Sequence, residues 1–474
     1  MDVWYSIVAV VAPVLALVGS GHAVLTKRDA RSALMWVALL WFLPLIGAAL
    51  YLLFGINRIN RRASALRREA VGQFERYHEC DLDMLRSRLG GAGQYLEALA
   101  RATNRIVPRP LVQGNQVEPL EDGDEAYPQM IAAIDGAERT VTLATYIFGN
   151  DRVGHAFADA LQRAVERGVE VRVLIDNAGE RYTWPSMVGD LHERGVPVER
   201  FFPGFPVRLV GINLRNHRKL LVVDGSVGFT GGMNIRRHHC SDAGRRATRD
   251  IHFRLQGPVV RHLQEVFYED WLFAARERLD GPRWFPDLRP VGTVVARGVQ
   301  DGPDDDFLAH QMSLQAAVTT ARESVRIVTP YFLPEATLVA ALNTASIRGV
   351  RVDIVLPSRS NLPFVHWAVM GQIRQVLTYD CRVWLTSGRF DHSKLMVVDD
   401  AWVFVGSSNW DPRSLRLNFE FNIECFDTAL AQNLAARIDT RIRGAEPVTR
   451  ADIESQPLAI RLRDGVARLM APYL

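Results

Sequence analysis

A short pattern that joins a histidine, a lysine and an aspartate occurs twice in this chain, at residues 217–224 and 392–399. Four apolar residues precede each aspartate, Leu-Leu-Val-Val in the first copy and Leu-Met-Val-Val in the second, and they are typical of a buried strand. Because side chains alternate between the faces of a strand, a histidine and a lysine two positions apart lie side by side. The polar residues of the two copies are His217, Lys219 and Asp224, and His392, Lys394 and Asp399.

A second repeated feature follows each pattern. The sequences Gly-Gly-Met-Asn and Gly-Ser-Ser-Asn lie at 231–234 and 406–409, so the glycine comes 14 positions and the asparagine 17 positions after each histidine. Small residues let a bulky anion approach the backbone closely, and an asparagine amide adds a hydrogen-bond donor. The predicted phosphate-binding residues are Gly232, Asn234, Ser407 and Asn409.

Two histidines that face one phosphodiester can carry out a double displacement. One neutral imidazole attacks phosphorus and forms a phosphohistidine, while the other protonates the leaving alkoxide and then accepts the proton of an incoming hydroxyl. Lys219 and Lys394 would neutralise the charge of the non-bridging oxygens, a task that many phosphoryl-transfer enzymes give to metal ions. Since the sequence has no carboxylate cluster suited to two metals, we expect neither a metal nor another cofactor.

A histidine nucleophile needs a partner on its second ring nitrogen to fix its tautomer. Asp250 and Glu420 each follow one motif by about thirty residues and are the candidates for this orienting role. Asp224 and Asp399 belong to the repeated pattern, and we predict them as catalytic residues together with the histidines and lysines. Each of them ends an apolar strand, however, and that position favours a structural hydrogen-bonding role over contact with phosphate.

The elements that must position these residues also form a repeat. In each half a strand rich in β-branched residues precedes a helix with apolar residues at helical spacing, and a second strand follows. The strand, helix and strand are predicted at 138–146, 153–167 and 168–175, and again at 324–331, 335–347 and 349–356. This alternation predicts an α/β fold of two duplicated halves, 105–290 and 291–474, with mainly parallel sheets covered by helices.

Two uncharged runs, residues 4–25 and 33–56, occupy the N-terminus. A helix rises about 1.5 Å per residue, so each run is long enough to cross a hydrocarbon core of about 30 Å. We therefore predict a transmembrane hairpin over 1–57 and a basic juxtamembrane helical linker over 58–104. By the positive-inside rule, the arginines at 58–68 favour a cytoplasmic catalytic portion. They either attract anionic lipid headgroups as well or serve only as a topology signal.

Charge and cysteine usage argue against several functions. The net charge of +3 is too small to argue for a nucleic-acid partner. The four cysteines form no C-x-x-C pair, which argues against a disulfide framework or a zinc site. His238, His239 and Cys240 are consecutive, and adjacent residues rarely reach one metal ion together, so we interpret them as a loop at the rim of the substrate pocket.

The two patterns resemble the HKD motifs of the phospholipase D superfamily, and within it the chain resembles bacterial cardiolipin synthases over nearly its whole length. Further matching stretches lie at 41–47, 51–55, 257–258, 269–271, 329–332, 406–414 and 418–421. The resemblance implies two phospholipase D-like α/β/α halves related by a pseudo-twofold axis, in a multi-pass protein of the bacterial inner membrane.

The same resemblance implies transfer of a phosphatidyl group from one phosphatidylglycerol to another, which gives cardiolipin and releases glycerol. His217 would be the nucleophile and His392 the acid and base, although the similarity of the halves leaves the opposite order open. Residues 236–242 are richer in His and Arg than the family pattern and leave the choice of headgroup or acceptor open. Acyl-chain preference, phosphatidylethanolamine as donor and assembly into a homo-oligomer also stay open.

Three other functions compete with this interpretation. A phospholipase D, or a phosphatidyltransferase with another donor or acceptor, would need the same motifs. A nuclease of the superfamily would not need the hairpin, and the sequence shows no extended basic stripe with interleaved aromatic residues. A non-catalytic lipid-binding protein would not need two intact motifs.

Overall fold

The computed structural model describes residues 2–27, 30–56, 79–201, 214–302 and 308–471. Its contacts divide the chain into two compact units. The helices before residue 57 belong to the first unit, and the elements described from residue 79 onward belong to the second.

The N-terminal unit is helical. Its α-helices are α1 (Asp2–Thr26), α2 (Ala30–Phe42) and α3 (Pro44–Leu50), and a π-helical turn covers Tyr51–Gly55. The continuous helix predicted for 33–56 is wrong, because Pro44 begins a new helix after Leu43, whose backbone is non-helical (φ −133°, ψ 66°). The residue before a proline is pushed out of the helical region, and proline lacks the N–H that a helix interior uses.

The predicted transmembrane hairpin is not confirmed. Among the residues described, no helix combines the length and the apolar character that a bilayer crossing requires. The unit has a small core that consists of Ala16, Ala23, Leu40, Ala48 and Tyr51. Around this core, large apolar side chains remain exposed, among them Leu25 (86% exposed) and Phe42 (84%).

The linker predicted at 58–104 falls partly outside the described residues, since they do not include its arginines at 58–68. The described part contains α4 (Leu82–Leu89) and α5 (Gly93–Asn104). Leu85, Leu96 and Leu99 are buried in the same core as the strands of the second half. This part of the chain is therefore an element of the second unit.

The strands of the second unit alternate with helices in both halves. The first half contains β1 (Val112–Glu121), β2 (Thr140–Thr145), β3 (Glu170–Asp176), β4 (Val198–Phe201), β5 (Arg215–Asn216), β6 (Leu220–Val223), β7 (Val227–Gly231), β8 (Thr248–Arg249) and β9 (Ile251–Gln256). The second half contains β10 (Val294–Asp301), β11 (Ser324–Val328), β12 (Arg351–Pro357), β13 (Arg382–Thr386), β14 (Phe390–Asp391), β15 (Leu395–Val398), β16 (Trp402–Gly406), β17 (Asn418–Phe426) and β18 (Ala445–Val448). The helices are α6 (Asp122–Asp135), α7 (Arg152–Glu166), α8 (Met187–Glu193), α9 (Val260–Ala275), α10 (Ala309–Thr320), α11 (Ala336–Ile347), α12 (Pro363–Ile373), α13 (Pro412–Arg416), α14 (Thr428–Arg443), α15 (Arg450–Glu454) and α16 (Leu458–Leu469).

Within the described residues, sixteen of these strands form one mixed sheet. Its order is β18-β13-β12-β11-β15-β16-β17-β10-β1-β9-β7-β6-β2-β3-β4, and β5 pairs with β17 beside this path. Along the path only β2-β3-β4 and β11-β12-β13 run parallel. The prediction of mainly parallel sheets is therefore wrong.

Two of the antiparallel pairs are the hairpins β6–β7 and β15–β16, which follow the motif histidines. Their turns begin at Asp224 and Asp399, each with a φ of 50°, and Gly225 continues the first turn with a φ of 63°. An Asp-Gly pair between two apolar runs is a strong hairpin signal. The pair Asp224-Gly225 therefore indicates an antiparallel hairpin in the sequence, although the alternation of strands and helices favoured parallel strands.

The two halves meet in the middle of the sheet, where β1 pairs antiparallel with β10. From this contact outward the order is β1-β9-β7-β6-β2-β3 in the first half and β10-β17-β16-β15-β11-β12 in the second. Corresponding strands occupy corresponding places, so the predicted duplication is present in the topology of the sheet.

Two short strands cross from one half to the other. β5 pairs in parallel with the start of β17, and β14 pairs in parallel with β8. β5 ends one residue before His217, and β14 ends one residue before His392. Because these pairs set the register, each motif histidine is positioned by a strand of the opposite half.

Candidate active site

His217 and His392 line the same cavity, whose volume is about 1290 Å³. Each side chain is 13% exposed. Typical small-molecule pockets measure about 300–1,000 Å³, so this cavity is large enough for more than one headgroup. The structure thus brings the two histidines to one site.

Glu420 holds the ring of His217. The Nδ1–H group of His217 donates to the Glu420 carboxylate, with both oxygens 3.1 Å from the nitrogen. The register of β5 and β17 places the two residues together, because the His217 backbone N–H donates to the Phe419 carbonyl at 2.9 Å. Glu420 is fully buried and also accepts hydrogen bonds from the Ser407 hydroxyl (2.5 Å) and the Asn418 amide (3.0 Å).

Asp250 holds the ring of His392 in the corresponding way. The His392 Nδ1–H donates to Asp250 Oδ2 at 2.8 Å, and the His392 backbone N–H donates to the Arg249 carbonyl at 2.7 Å. Asp250 is fully buried, and its Oδ1 accepts from the Ile251 N–H at 2.8 Å.

The two pairs are crossed between the halves. The carboxylate that follows the first motif orients the histidine of the second, and the carboxylate that follows the second motif orients the histidine of the first. Because a carboxylate can only accept, it keeps the proton on Nδ1 and leaves Nε2 of each ring with its lone pair. Neither half therefore contains a complete site.

The two orienting carboxylates differ in pKa. Burial alone raises the pKa of Glu420, but the neighbouring His217 ring and Lys219 lower it overall to about 2. Burial raises the pKa of Asp250 to about 6, with Lys394 opposing it. At neutral pH both groups are ionised, and Asp250 is the carboxylate closer to protonation.

Both histidines are held neutral. Burial lowers the pKa of His217, and the charge of Glu420 partly opposes this effect. Burial and the neighbouring Lys394 lower the pKa of His392 well below its ordinary value. A neutral imidazole with a free Nε2 is the form that attacks phosphorus.

The two lysines lie under the histidines. The Lys219 ammonium donates to the His217 carbonyl at 2.5 Å, and the Lys394 ammonium donates to the His392 carbonyl. Burial lowers the pKa of Lys219 to about 7 and that of Lys394 to about 8. Their positive charge is therefore close to the cavity but sensitive to pH.

Gly232 and Ser407 lie behind the carboxylates, which differs from the predicted contact with phosphate. A Cβ atom at position 232 would lie 2.3 Å from Asp250 Oδ1. At the corresponding position, the Ser407 hydroxyl donates to Glu420. The small residues therefore make room for the orienting carboxylates.

Asn234 and Asn409, the other two residues predicted to bind phosphate, line the cavity. Asn234 Oδ1 accepts from the Ile147 N–H at 3.1 Å, which leaves its amide N–H groups for a ligand. Asn409 Nδ2 lies 3.2 Å from the Ser414 hydroxyl, and its Oδ1 has no partner within the described residues. The second hydrogen of the Asn409 amide is left for a ligand.

Asp224 and Asp399 lie outside the cavity and hydrogen-bond to the backbone. The Asp224 carboxylate accepts backbone N–H groups of residues 138–140 at 2.7–3.0 Å, and the Asp399 carboxylate accepts those of 322–324 at 2.7–2.8 Å. Each aspartate thus fastens the start of the neighbouring strand. These contacts give both aspartates a structural role, and neither of them lines the cavity.

Aromatic rings beside the histidines were not predicted from the sequence. Tyr146 lies 5.2 Å from the His217 ring and Tyr331 lies 6.4 Å from the His392 ring, measured between centroids. Both tyrosines follow the first strand of the repeat, in loops that share a Thr-x-x-Phe sequence at 145–148 and 329–332. Comparing the two halves at this position would have identified the loops.

The residues His238 to Cys240 lie in two different environments, the cavity wall and the hydrophobic core. His238 and His239 line the cavity, whereas Cys240 packs into the core of the first half. His239 is 3% exposed, and its Nε2 accepts from the Asn234 N–H at 3.3 Å. Over the part of the chain that the structure describes, no three His, Cys, Asp or Glu side chains are arranged to hold a metal ion.

Comparison with known proteins places this geometry in a family. The sequence profile described as "Cardiolipin synthase, PLD-like domain" matches residues 130–271 and 314–442, and that described as "Phospholipase_D-nuclease N-terminal" matches residues 14–55. The chain is 33% identical to the major cardiolipin synthase ClsA of Bacillus subtilis over 94% of its own length and 95% of that protein. It is 30% identical to a cardiolipin synthase of Oceanobacillus iheyensis over 95% of both chains.

The fold is also found in a solved structure. The phosphatidylserine synthase of Haemophilus influenzae Rd KW20 superposes with a TM-score of 0.61 at 15% identity, covering 79% of this chain and 100% of the other. Profile, relatives and paired motifs agree, and the chain belongs to the cardiolipin synthase family of phospholipase D-like enzymes.

Proposed function

We propose that this cardiolipin synthase acts through a phosphatidyl-histidine intermediate, with one phosphatidylglycerol as donor and a second as acceptor. Relatives named cardiolipin synthase over nearly the whole chain support the reaction. The observation that carries the mechanism is the crossed arrangement: two neutral imidazoles, each held through Nδ1 by a carboxylate of the other half, line one cavity.

In the first step, Nε2 of His217 attacks the phosphorus of the donor lipid. The P–N bond forms while the P–O bond to glycerol breaks, and His392 gives a proton from Nε2 to the departing glycerol oxygen. The bound anionic phosphodiester raises the pKa of His392 against the effect of burial, so the proton is held there when substrate is in place.

In the second step, the acceptor takes the place of glycerol. Its hydroxyl proton passes to His392, its oxygen bonds to phosphorus, and the electron pair of the breaking P–N bond returns to His217. Lys219 and Lys394 supply positive charge under the phosphate, and the Asn234 and Asn409 amides donate to its oxygens. Cardiolipin leaves and both rings are restored.

The test of this order uses a donor with nitrophenol in place of glycerol, a leaving group that needs no acid. We expect His392→Asn to release one equivalent of nitrophenol and to retain the phosphatidyl group on the protein, whereas His217→Asn releases none. The opposite result would exchange the roles of the two histidines. Release by both variants would refute a histidine intermediate.

The competing functions give different products from phosphatidylglycerol alone. Cardiolipin and glycerol in equal amounts support the proposed transfer. Phosphatidic acid as main product would indicate a phospholipase D, and the absence of any product would indicate a lipid-binding protein. Replacing the donor by phosphatidylethanolamine then tests a second headgroup in the same assay.

We also propose attachment to the bacterial inner membrane through the N-terminal unit, with the catalytic unit on the cytoplasmic side. The support is the exposed apolar surface of this unit, including Leu25, Leu34 and Phe42, and the arginines at 58–68 that follow it in the sequence. The full chain should float with anionic lipid vesicles in a density gradient, and a chain shortened by residues 1–57 should float less. Equal flotation of both would refute the attachment.

A further inference from the structure

The cavity wall carries far more positive charge than one phosphodiester needs. Among the described lining residues one, Asp411, is a carboxylate, and eight are arginines. These are Arg181, Arg215, Arg236, Arg245, Arg246, Arg359, Arg389 and Arg413. Arg389 pairs with Asp122 at 2.9 Å, and the ionised Glu420 and Asp250 balance the charges of Lys219 and Lys394. The donor phosphodiester carries a single negative charge, so the remaining arginines point to a second anion.

Three of these arginines lie on one segment, residues 236–247, between Asn234 and Asp250. Within the described part of the chain, Arg236, Arg245 and Arg246 form no ion pair with a carboxylate. Arg237 of the same segment differs, because it pairs with Asp242 at 3.4 Å and does not line the cavity. Arg236 is half-buried and Arg245 and Arg246 are exposed, but all three line the cavity, whereas Arg237 does not.

Arg236, His238 and Arg246 form a basic cluster, in which Arg236 and His238 are in direct contact. The Arg236 Nε–H donates to His238 Nδ1 at 3.1 Å. Burial lowers the pKa of both groups, and the positive charges of Arg236 and Arg246 lower that of His238 further. The charge of Asp151 opposes part of this effect on both groups. A lowered pKa keeps His238 neutral at pH 7, so its ring accepts from Arg236, and an anion beside the half-buried Arg236 guanidinium would gain a charge-assisted hydrogen bond.

The cluster is anchored next to His392. The strand β8 directly follows the segment and pairs with β14, which directly precedes His392. His239, inside the segment, is buried with its ring centroid 6.3 Å from that of His392. In the proposed mechanism His392 is the base that deprotonates the acceptor, so the surplus charge lies on the acceptor side.

We infer that Arg236, His238 and Arg246 form a subsite for the phosphodiester of the acceptor lipid. The inference rests on the proposed double displacement. The reacting hydroxyl of phosphatidylglycerol is joined to its own phosphate by a three-carbon glycerol unit, so fixing this phosphate presents the hydroxyl to His392. Water and free glycerol lack the anion, and the subsite therefore favours transfer to a second phospholipid over hydrolysis and glycerol exchange.

The test compares two acceptors for one donor. With phosphatidylglycerol as donor, cardiolipin formation reports the anionic acceptor, and incorporation of labelled glycerol into phosphatidylglycerol reports a neutral one. Hydrogen bonds to charged groups contribute about 1.5–3 kcal/mol, which is roughly a ten- to hundredfold change in rate. We expect the R236Q/R246Q variant to lose cardiolipin formation by that factor and to keep glycerol incorporation within about twofold.

Arg237→Gln is the matched control, since it removes an arginine of the same segment that pairs outside the cavity, and it should leave both products unchanged. Glycerol phosphate, a soluble acceptor with an anion but no acyl chain, should outcompete glycerol in the unchanged protein and lose this advantage in R236Q/R246Q. An advantage restricted to the lipid acceptor would show that the acyl chains, not the phosphate, are recognised, and would overturn the subsite.

Parallel loss of both products in R236Q/R246Q, or loss of neither, would also overturn the subsite. The proposed function fails separately, when the unchanged protein makes no cardiolipin from phosphatidylglycerol.

Discussion

Replacing Asp250 by asparagine should abolish turnover and yet stabilise the protein. Asp250 is fully buried and accepts hydrogen bonds from His392 and from the Ile251 N–H. An asparagine can keep both contacts, with its oxygen accepting from Ile251 and its amide donating to His392 Nδ1. That arrangement moves the ring proton to Nε2 and removes the lone pair that acts as base. A similar tautomer change in a Ser-His-Asp triad costs roughly 10⁴-fold in rate.

The stabilising effect follows from the pKa of Asp250, about 6 against an ordinary value of 3.8. A difference of about two pH units corresponds to about 3 kcal/mol. Because the folded protein binds the proton more tightly than the unfolded chain, its stability falls as pH rises through this window, and the full cost is present above pH 6. We expect D250N to raise the free energy of unfolding at pH 7 by about 1–3 kcal/mol.

Thermal and denaturant unfolding of the full chain in detergent would measure this change at neutral pH and near pH 4, where the gain in stability should disappear.

Glu420→Gln is a control for which the opposite change in stability is expected. The pKa of Glu420 is about 2, below its ordinary value of 4.5, so its charge stabilises the fold at neutral pH and this contribution is lost only as pH falls from 4.5 toward 2. E420Q should therefore lose both turnover and stability. A destabilised D250N, or a D250N that still turns over, would refute the reasoning.

Three further predictions concern the supporting residues. Ser407→Ala should lower kcat about ten- to a hundredfold, because a hydrogen bond to a charged carboxylate contributes about 1.5–3 kcal/mol; an unchanged kcat would argue against the role of its hydroxyl. Asp224→Asn should lower the melting temperature while the folded protein keeps its kcat within about twofold. One of the two oxygens that accept the backbone N–H groups of residues 138–140 is replaced by an NH2 donor. Lost kcat with an unchanged melting temperature would contradict this. Turnover should fall below about pH 6, where Asp250 is protonated, and above about pH 7 to 8, where Lys219 and then Lys394 lose their charges. A flat profile from about pH 5 to about pH 9 would contradict these assignments.

The crossed pairs give a physical reason for keeping the two halves on one chain. His217 depends on Glu420 and His392 depends on Asp250, and each pair spans the contact between the halves. A single half would contain a histidine with no orienting carboxylate and a buried carboxylate with no partner. Burying an unpaired carboxylate is costly, so the site and the association of the halves stabilise each other.

The sequence by itself determined the reacting groups, their duplication and the family. These follow from residue types at short, matched spacings, such as His217 to Asn234 and His392 to Asn409, and local spacing is not altered by how distant segments pack. The hairpin at Asp224-Gly225 was readable in the same way, and the break of the second N-terminal helix at Pro44 is likewise a local effect.

Only the tertiary structure decided which carboxylate serves which histidine. That choice depends on the register of two-residue strands, β5 on β17 and β14 on β8, which join residues far apart in the chain. The tertiary structure also shows that Gly232 and Ser407 contact the orienting carboxylates, whereas the sequence had predicted contact with phosphate. It places arginines of both halves around one cavity. Long-range register is set by the packing of the whole sheet, and no local pattern of residues encodes it.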